Sequence, residues 1–154
     1  MSPRVLLGLG SNLGDRDANI TAALDRLEEE GALQVIAMSR VRTTSPVGGP
    51  PQPDYRNAAA LVDTHLPPRK LLAALKRAEE HVGRKSGGER WGAREVDVDL
   101  LLYGDEVIDE PDLVVPHPRM AQRRFVLEPA AEIAPEITHP VLKRTVQQLF
   151  EALA

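Results

Sequence analysis

The chain has 154 residues, 42% of them apolar and 27% charged, a formal net charge of −4 and no cysteine. That length predicts a single domain over 1–154 with a core of its own. The lack of cysteine excludes a disulfide framework, a thiol nucleophile and a zinc–thiolate site, and the acidic balance excludes a general electrostatic grip on nucleic acid.

Val5 to Gly10 reads as a short buried strand that runs into the turn-rich Gly10-Ser11-Asn12-Leu13-Gly14-Asp15. Its apolar run is shorter than a signal-peptide core and far too short to span a bilayer, so a cytoplasmic protein is expected. Helical spacing of Ile20, Ala23, Leu24 and Leu27 predicts a helix over Asp17 to Glu30, stopped by Gly31. Gln34 to Thr43 alternates as a strand does. Thr44 to Asp54, with four prolines and two glycines, reads as a shaped loop, and Asn57 to Thr64 as another strand. Pro67 and Pro68 open a helix with Leu71, Leu72, Leu75, Ala78 and Val82 on its apolar face, ended by Gly83. Arg84 to Glu95 is charged and glycine-rich, the pattern of a mobile loop.

Val96 to Tyr103 is the strongest strand signal, and Gly104-Asp105 is expected to turn it back into a hairpin with Glu106 to Ile108. A short helix over Phe125 to Ala131 and a last helix after Thr145 complete the chain. The order strand, helix, strand, strand, helix, strand favours an α+β fold: a ferredoxin-like β-α-β-β-α-β core with a mainly antiparallel sheet, helices packed on it, an extra hairpin and a C-terminal helix. A doubly wound parallel sheet is the alternative.

Residues two apart on a strand share a face, so Asp97 and Asp99 emerge together opposite Val96, Val98, Leu100 and Leu102. Two carboxylates held on one rigid strand repel unless a cation lies between them, and hard oxygen donors suit Mg²⁺ carrying substrate phosphates. The competing reading is a pair that simply faces water. The neighbourhood favours the metal: Arg84, Lys85, Arg90 and Arg94 precede the pair in a segment that also holds Gly83, Gly87, Gly88, Gly92 and Trp91. Phosphoryl transfer needs cations to spread charge over the transferring group and a loop able to close. Tyr55 and Phe125, in loop-rich stretches, suit the two sides of a flat heterocycle, and Asn57 offers a donor and acceptors to its edge; ordinary packing is the alternative for either ring alone. His117, between Pro116 and Pro118 and followed by Arg119, Arg123 and Arg124, suits a phosphate. His65, His81 and His139 read as ordinary surface or core residues. Gly8-x-Gly10-x-x-x-Gly14 misses the dinucleotide fingerprint by one position, and no Walker A pattern is present.

Five segments in order resemble the 6-hydroxymethyl-7,8-dihydropterin pyrophosphokinase family of folate synthesis: Gly10 to Asp15, Gln52 to Ala58, Arg90 to Arg94 running into Asp97-Val98-Asp99-Leu100, Pro116 to Met120, and Glu132 to Glu136. The resemblance spans nearly the whole chain. It implies transfer of pyrophosphate from ATP to the pterin hydroxymethyl group, release of AMP, and two Mg²⁺ ions held by Asp97 and Asp99. It also implies catalytic roles for Arg84, Trp91 and Arg94 beside those aspartates. Tyr55 and Phe125 match the stacking rings, Asn57 the residue at the pterin edge, and Thr44 and Val47 its wall. Glu79, Arg84, Trp91, Arg94, His117 and Arg123 match positions around ATP and the closing loop. A monomer acting on small molecules alone, without nucleic acid or membrane, is the expectation. Three positions depart from the family pattern: Ser86 replaces an arginine common in relatives, Ala93 a proline and Arg56 an aliphatic residue. Two rivals remain, a non-catalytic ferredoxin-like module that binds RNA or a regulatory ligand, and an ordinary kinase that yields ADP.

Overall fold

The structure, a computed structural model, describes residues 3–44, 54–86 and 95–153. Its centre is β1 (Arg4–Ser11), which is apolar on both sides and therefore lies inside the sheet. Antiparallel partners flank it: β4 (Tyr55–Asp63) on one side and β5 (Asp97–Tyr103) on the other. Beyond β4 lie β2 (Gln34–Met38) and, further along the same edge, β3 (Arg42–Thr44). The order is β2-β4-β1-β5 with every pairing antiparallel. This is the ferredoxin-like arrangement, and it excludes the parallel sheet.

Two helices fall between these strands and cover one face. α1 (Arg16–Glu29) starts where the Asp15 carboxylate accepts the Ala18 N–H at 3.2 Å, a side-chain cap for an otherwise unmatched donor. It buries Ile20, Ala23, Leu24 and Leu27. α2 (Pro68–Ser86) buries Leu71, Ala74, Leu75, Ala78 and Val82. Both stripes meet Val5, Leu7 and Leu9 of β1, Ala60 and Val62 of β4, and Val98 and Leu100 of β5. On the opposite face α3 (Arg124–Ile133) and α4 (Val146–Glu151) pack on Leu6, Ala59, Leu61, Leu101 and Leu102. That second layer reaches only part of the sheet. Where β1 carries Gly8 and Gly10, the sheet lines a cavity.

Four expectations are corrected. Gln34 to Thr43 is not one strand: the Ser39 hydroxyl accepts the Ala59 N–H at 2.9 Å and so replaces a backbone partner, breaking the ladder between β2 and β3. The second helix does not stop at Gly83 but continues to Ser86, since an interior glycine costs a helix only about 1 kcal/mol. Leu102 does not share a face with Val98 and Leu100, because the β1–β5 register shifts between Leu6 and Leu7 and turns Leu101 and Leu102 to the second core. The hairpin does not return on β5 either. The chain leaves β5 through Gly104 at φ 51, and β6 (Ile108–Glu110) pairs instead with β7 (Leu113–Val115), burying Leu113 and Val115.

Candidate active site

Asp97 and Asp99 stand on the partly uncovered face of the sheet, at its β5 side. Their neighbours across the ladder are Gly10 and Gly8. Glycine inside a strand marks a close approach or an open space, and here it makes a floor. A Cβ on Gly8 would press on Leu101 at 3.4 Å, and one on Gly10 would lie 3.0 Å from Asn57 Nδ2. Next to that floor β4 presents Tyr55 and Asn57, because residues two apart on a strand project together. Asn57 is buried and its Oδ1 accepts a short hydrogen bond from the Thr44 hydroxyl, which fixes the plane of the carboxamide. The first turn of α3 brings Phe125 to the same opening. These residues enclose a cavity of about 580 Å³, with Arg119, Gln122, Arg123 and Arg124 on its wall.

A second cavity, of about 570 Å³, opens on the other side of the aspartates. Lys76 and Glu79 of α2, Pro111 and Asp112 of the β6–β7 hairpin, and His117 line it. Among the described residues only Asp97 and Asp99 line both cavities.

The electrostatics concentrate negative charge at this junction. Glu79 Oε2 accepts the Val98 N–H at 2.7 Å, so α2 holds the strand at the residue between the two aspartates. Burial and the nearby charges of Asp97 and Asp99 push the Glu79 carboxyl up to about 7 against the opposing pull of that hydrogen bond. A cation placed between the aspartates relieves the repulsion, and two carboxylates on one rigid strand over a glycine floor fit Mg²⁺. Among the described residues no group of three or more His, Cys, Asp or Glu can hold an ion. Phosphate oxygens and water would complete the shell. Burial lowers the His117 pKa below its ordinary value; Asp99 opposes this and Arg123 and Arg119 add to it. Its Nδ1 accepts the Arg119 N–H at 3.2 Å, leaving the ring proton on Nε2.

Thr44, Tyr55, Asn57 and Phe125 thus gather in the first cavity, Glu79 and His117 in the second. Arg123, expected around ATP, lies on the wall of the first, its guanidinium 5.5 Å from the centre of the Phe125 ring. Tyr55 and Phe125 sit at a strand start and in a helical turn, not in loops. Val47, Trp91 and Arg94 lie outside the described residues, as does the side chain of Arg84. Sequence reasoning missed Gly8, Gly10, Gln122, Lys76 and Asp112. Of these only the glycines carried a legible signal, two interruptions in an otherwise apolar strand.

Residues 6–135 match the family described as 7,8-dihydro-6-hydroxymethylpterin-pyrophosphokinase. The chain belongs to this pyrophosphokinase family. Relatives in the family include a 2-amino-4-hydroxy-6-hydroxymethyldihydropteridine pyrophosphokinase of Aquifex aeolicus, 40% identical over 94% of this chain and 88% of that one. The protein of the same name from Pseudomonas aeruginosa is 41% identical over 91% of this chain and 86% of its own. In fold, the pyrophosphokinase chain resembles a Plasmodium falciparum HPPK-DHPS solved with pterin and p-hydroxybenzoate, with a TM-score of 0.77 at 16% identity. The match covers 99% of this chain but 44% of that one, so the chain spans less than half of the solved protein.

Proposed function

We propose that the chain transfers the pyrophosphate group of ATP to the hydroxymethyl oxygen of 6-hydroxymethyl-7,8-dihydropterin, releasing AMP, as a step of folate biosynthesis. One observation carries the site reading: two cavities, one flanked by rings and one by Glu79, Lys76 and His117, meet at Asp97 and Asp99. Two substrates held in separate chambers with a shared acidic junction are positioned for direct transfer, and positioning is most of what phosphoryl transfer asks of a protein.

In this reading the pterin lies between Tyr55 and Phe125, with Asn57 at its edge and Thr44 and Val47 on its wall. ATP lies in the second chamber, with its phosphates toward the aspartates, Glu79 steadying the strand and His117 donating from Nε2. Arg123 closes the first chamber over Phe125 and brings a cation toward the transferring group, and Arg84, Trp91 and Arg94 complete the surroundings of the phosphates. Two Mg²⁺ ions held by Asp97 and Asp99 would neutralise phosphate charge. The substrate oxygen bonds to the β-phosphorus, the bond from that phosphorus to the α,β-bridging oxygen breaks, and AMP leaves with that oxygen while the hydroxyl proton is released. We further read the protein as one domain, monomeric and cytoplasmic, acting on small molecules; among the described residues no helix is long and apolar enough to cross a membrane.

The test mixes the chain with Mg²⁺, ATP and the reduced pterin alcohol and identifies the nucleotide formed. AMP that appears only with the pterin supports the proposal. ADP points to a conventional kinase, and nucleotide binding without turnover points to a binding module.

A further inference from the structure

Arg56 stands on β4 between Tyr55 and Asn57, and strand alternation sends its side chain to the opposite face, toward α1. There it makes a two-pronged bond to Asp17 in the first turn of α1, Nε to Oδ1 at 2.8 Å and Nη2 to Oδ2 at 2.9 Å. The remaining nitrogen, Nη1, donates to the Thr43 hydroxyl at 2.9 Å. Thr43 is the direct partner of Arg56 across the β3–β4 ladder, as Thr44 is of Tyr55. A further bond, Arg16 Nη1 to the Asp54 carbonyl at 2.7 Å, ties the same helical turn to the residue before Tyr55. One planar guanidinium therefore joins three elements directly behind Thr44, Tyr55 and Asn57. The fixed fork of arginine suits this; a lysine in its place supplies charge without the geometry. β3 is only three residues long and, among the described residues, pairs with β4 alone, so it depends on such ties for its place.

We propose that Arg56 is a positioning residue for the ring-lined chamber: its fork on Asp17 and Thr43 sets where Tyr55, Asn57 and Thr44 stand, and thereby sets affinity for the heterocycle rather than the rate of transfer. The inference rests on the pyrophosphokinase reading. It assigns a role to a residue that touches neither substrate.

The experiment measures kcat, KM for the reduced pterin alcohol, KM for ATP and Tm for the full chain and for Arg56→Ala, Arg56→Lys, Asp17→Asn and the double variant Arg56→Ala/Asp17→Asn. The expected result is a pterin KM raised about tenfold in Arg56→Ala, with kcat and ATP KM within about twofold. Arg56→Lys should fall between Arg56→Ala and the unmodified chain. The double variant should be no worse than Arg56→Ala, because both changes break one clamp. A pterin KM unchanged in Arg56→Ala overturns the proposal, and so does a fall in Tm that moves both KM values together, the mark of a purely structural role. If the unmodified chain forms no AMP, the functional reading fails and this proposal with it. AMP formation that Arg56→Ala leaves untouched overturns the positioning role alone.

Discussion

Val98, the residue between Asp97 and Asp99, donates its backbone N–H to Glu79 Oε2 at 2.7 Å. The bond links α2 to the start of β5 at the point where the two cavities meet, so Glu79 holds the acidic strand from behind. Glu79→Gln keeps an acceptor at that position, while Glu79→Ala leaves the N–H without one, at a cost of about 1–3 kcal/mol. We expect Glu79→Ala to lower kcat at least about tenfold and Glu79→Gln to retain most activity. Steady-state rates with purified variants check this; equal rates in both would remove the hydrogen bond from the account.

Gly10→Ala introduces a methyl group 3.0 Å from Asn57 Nδ2 and 3.6 Å from a Tyr55 ring carbon. Asn57 must give way, and it is buried and bonded to Thr44. The expected outcome is a pterin KM raised about tenfold with ATP binding unchanged. Separate titrations of each substrate test it.

His139 is buried, and its Nδ1 accepts the N–H groups of Val141 and Leu142 at 3.2 and 3.0 Å. Burial lowers its pKa below the ordinary 6.5. The unfolded chain therefore takes up a proton first as pH falls below about 6.5, and stability is lost over that window down to the folded pKa. Thermal melts at pH 7.5 and pH 5 should show a larger drop for the unmodified protein than for His139→Asn, which cannot titrate. Equal drops would contradict this.

Gly31 follows α1 at φ 72, with nothing among the described residues within 4 Å of where a Cβ would stand. Gly31→Ala thus meets conformational strain alone, about 1 kcal/mol, or roughly 2–4 °C in Tm, with activity unchanged. A loss of activity would show that this turn reaches the site.

The order of strands and helices along the chain was legible because its signals are local: a period of two in Val96 to Leu100, a period of 3.6 in Ile20 to Leu27, and glycines that punctuate them. The acidic pair was legible for the same reason. What escaped depends on long-range contacts. Ser39 breaks a strand through a bond to Ala59, twenty residues away. Leu102 changes face because β5 shifts register against β1, which its own alternation does not reveal. The helix runs on through Gly83 to Ser86, past the residue whose type signals a stop. Tyr55 and Phe125 were singled out by type, yet only folding shows that a strand and a helical turn bring them to one cavity. The fork of Arg56 on Asp17 joins residues thirty-nine positions apart, and nothing local announces it.

The most direct test of the two-chamber reading is a structure of the full chain bound to Mg²⁺, the reduced pterin alcohol and an ATP analogue with carbon at its α,β bridge. The account predicts the pterin between Tyr55 and Phe125, the adenosine on the side of Glu79 and His117, and the metal with the bridging phosphates at Asp97 and Asp99. A nucleotide base between the two rings, or phosphates and metal away from the aspartates, would contradict it.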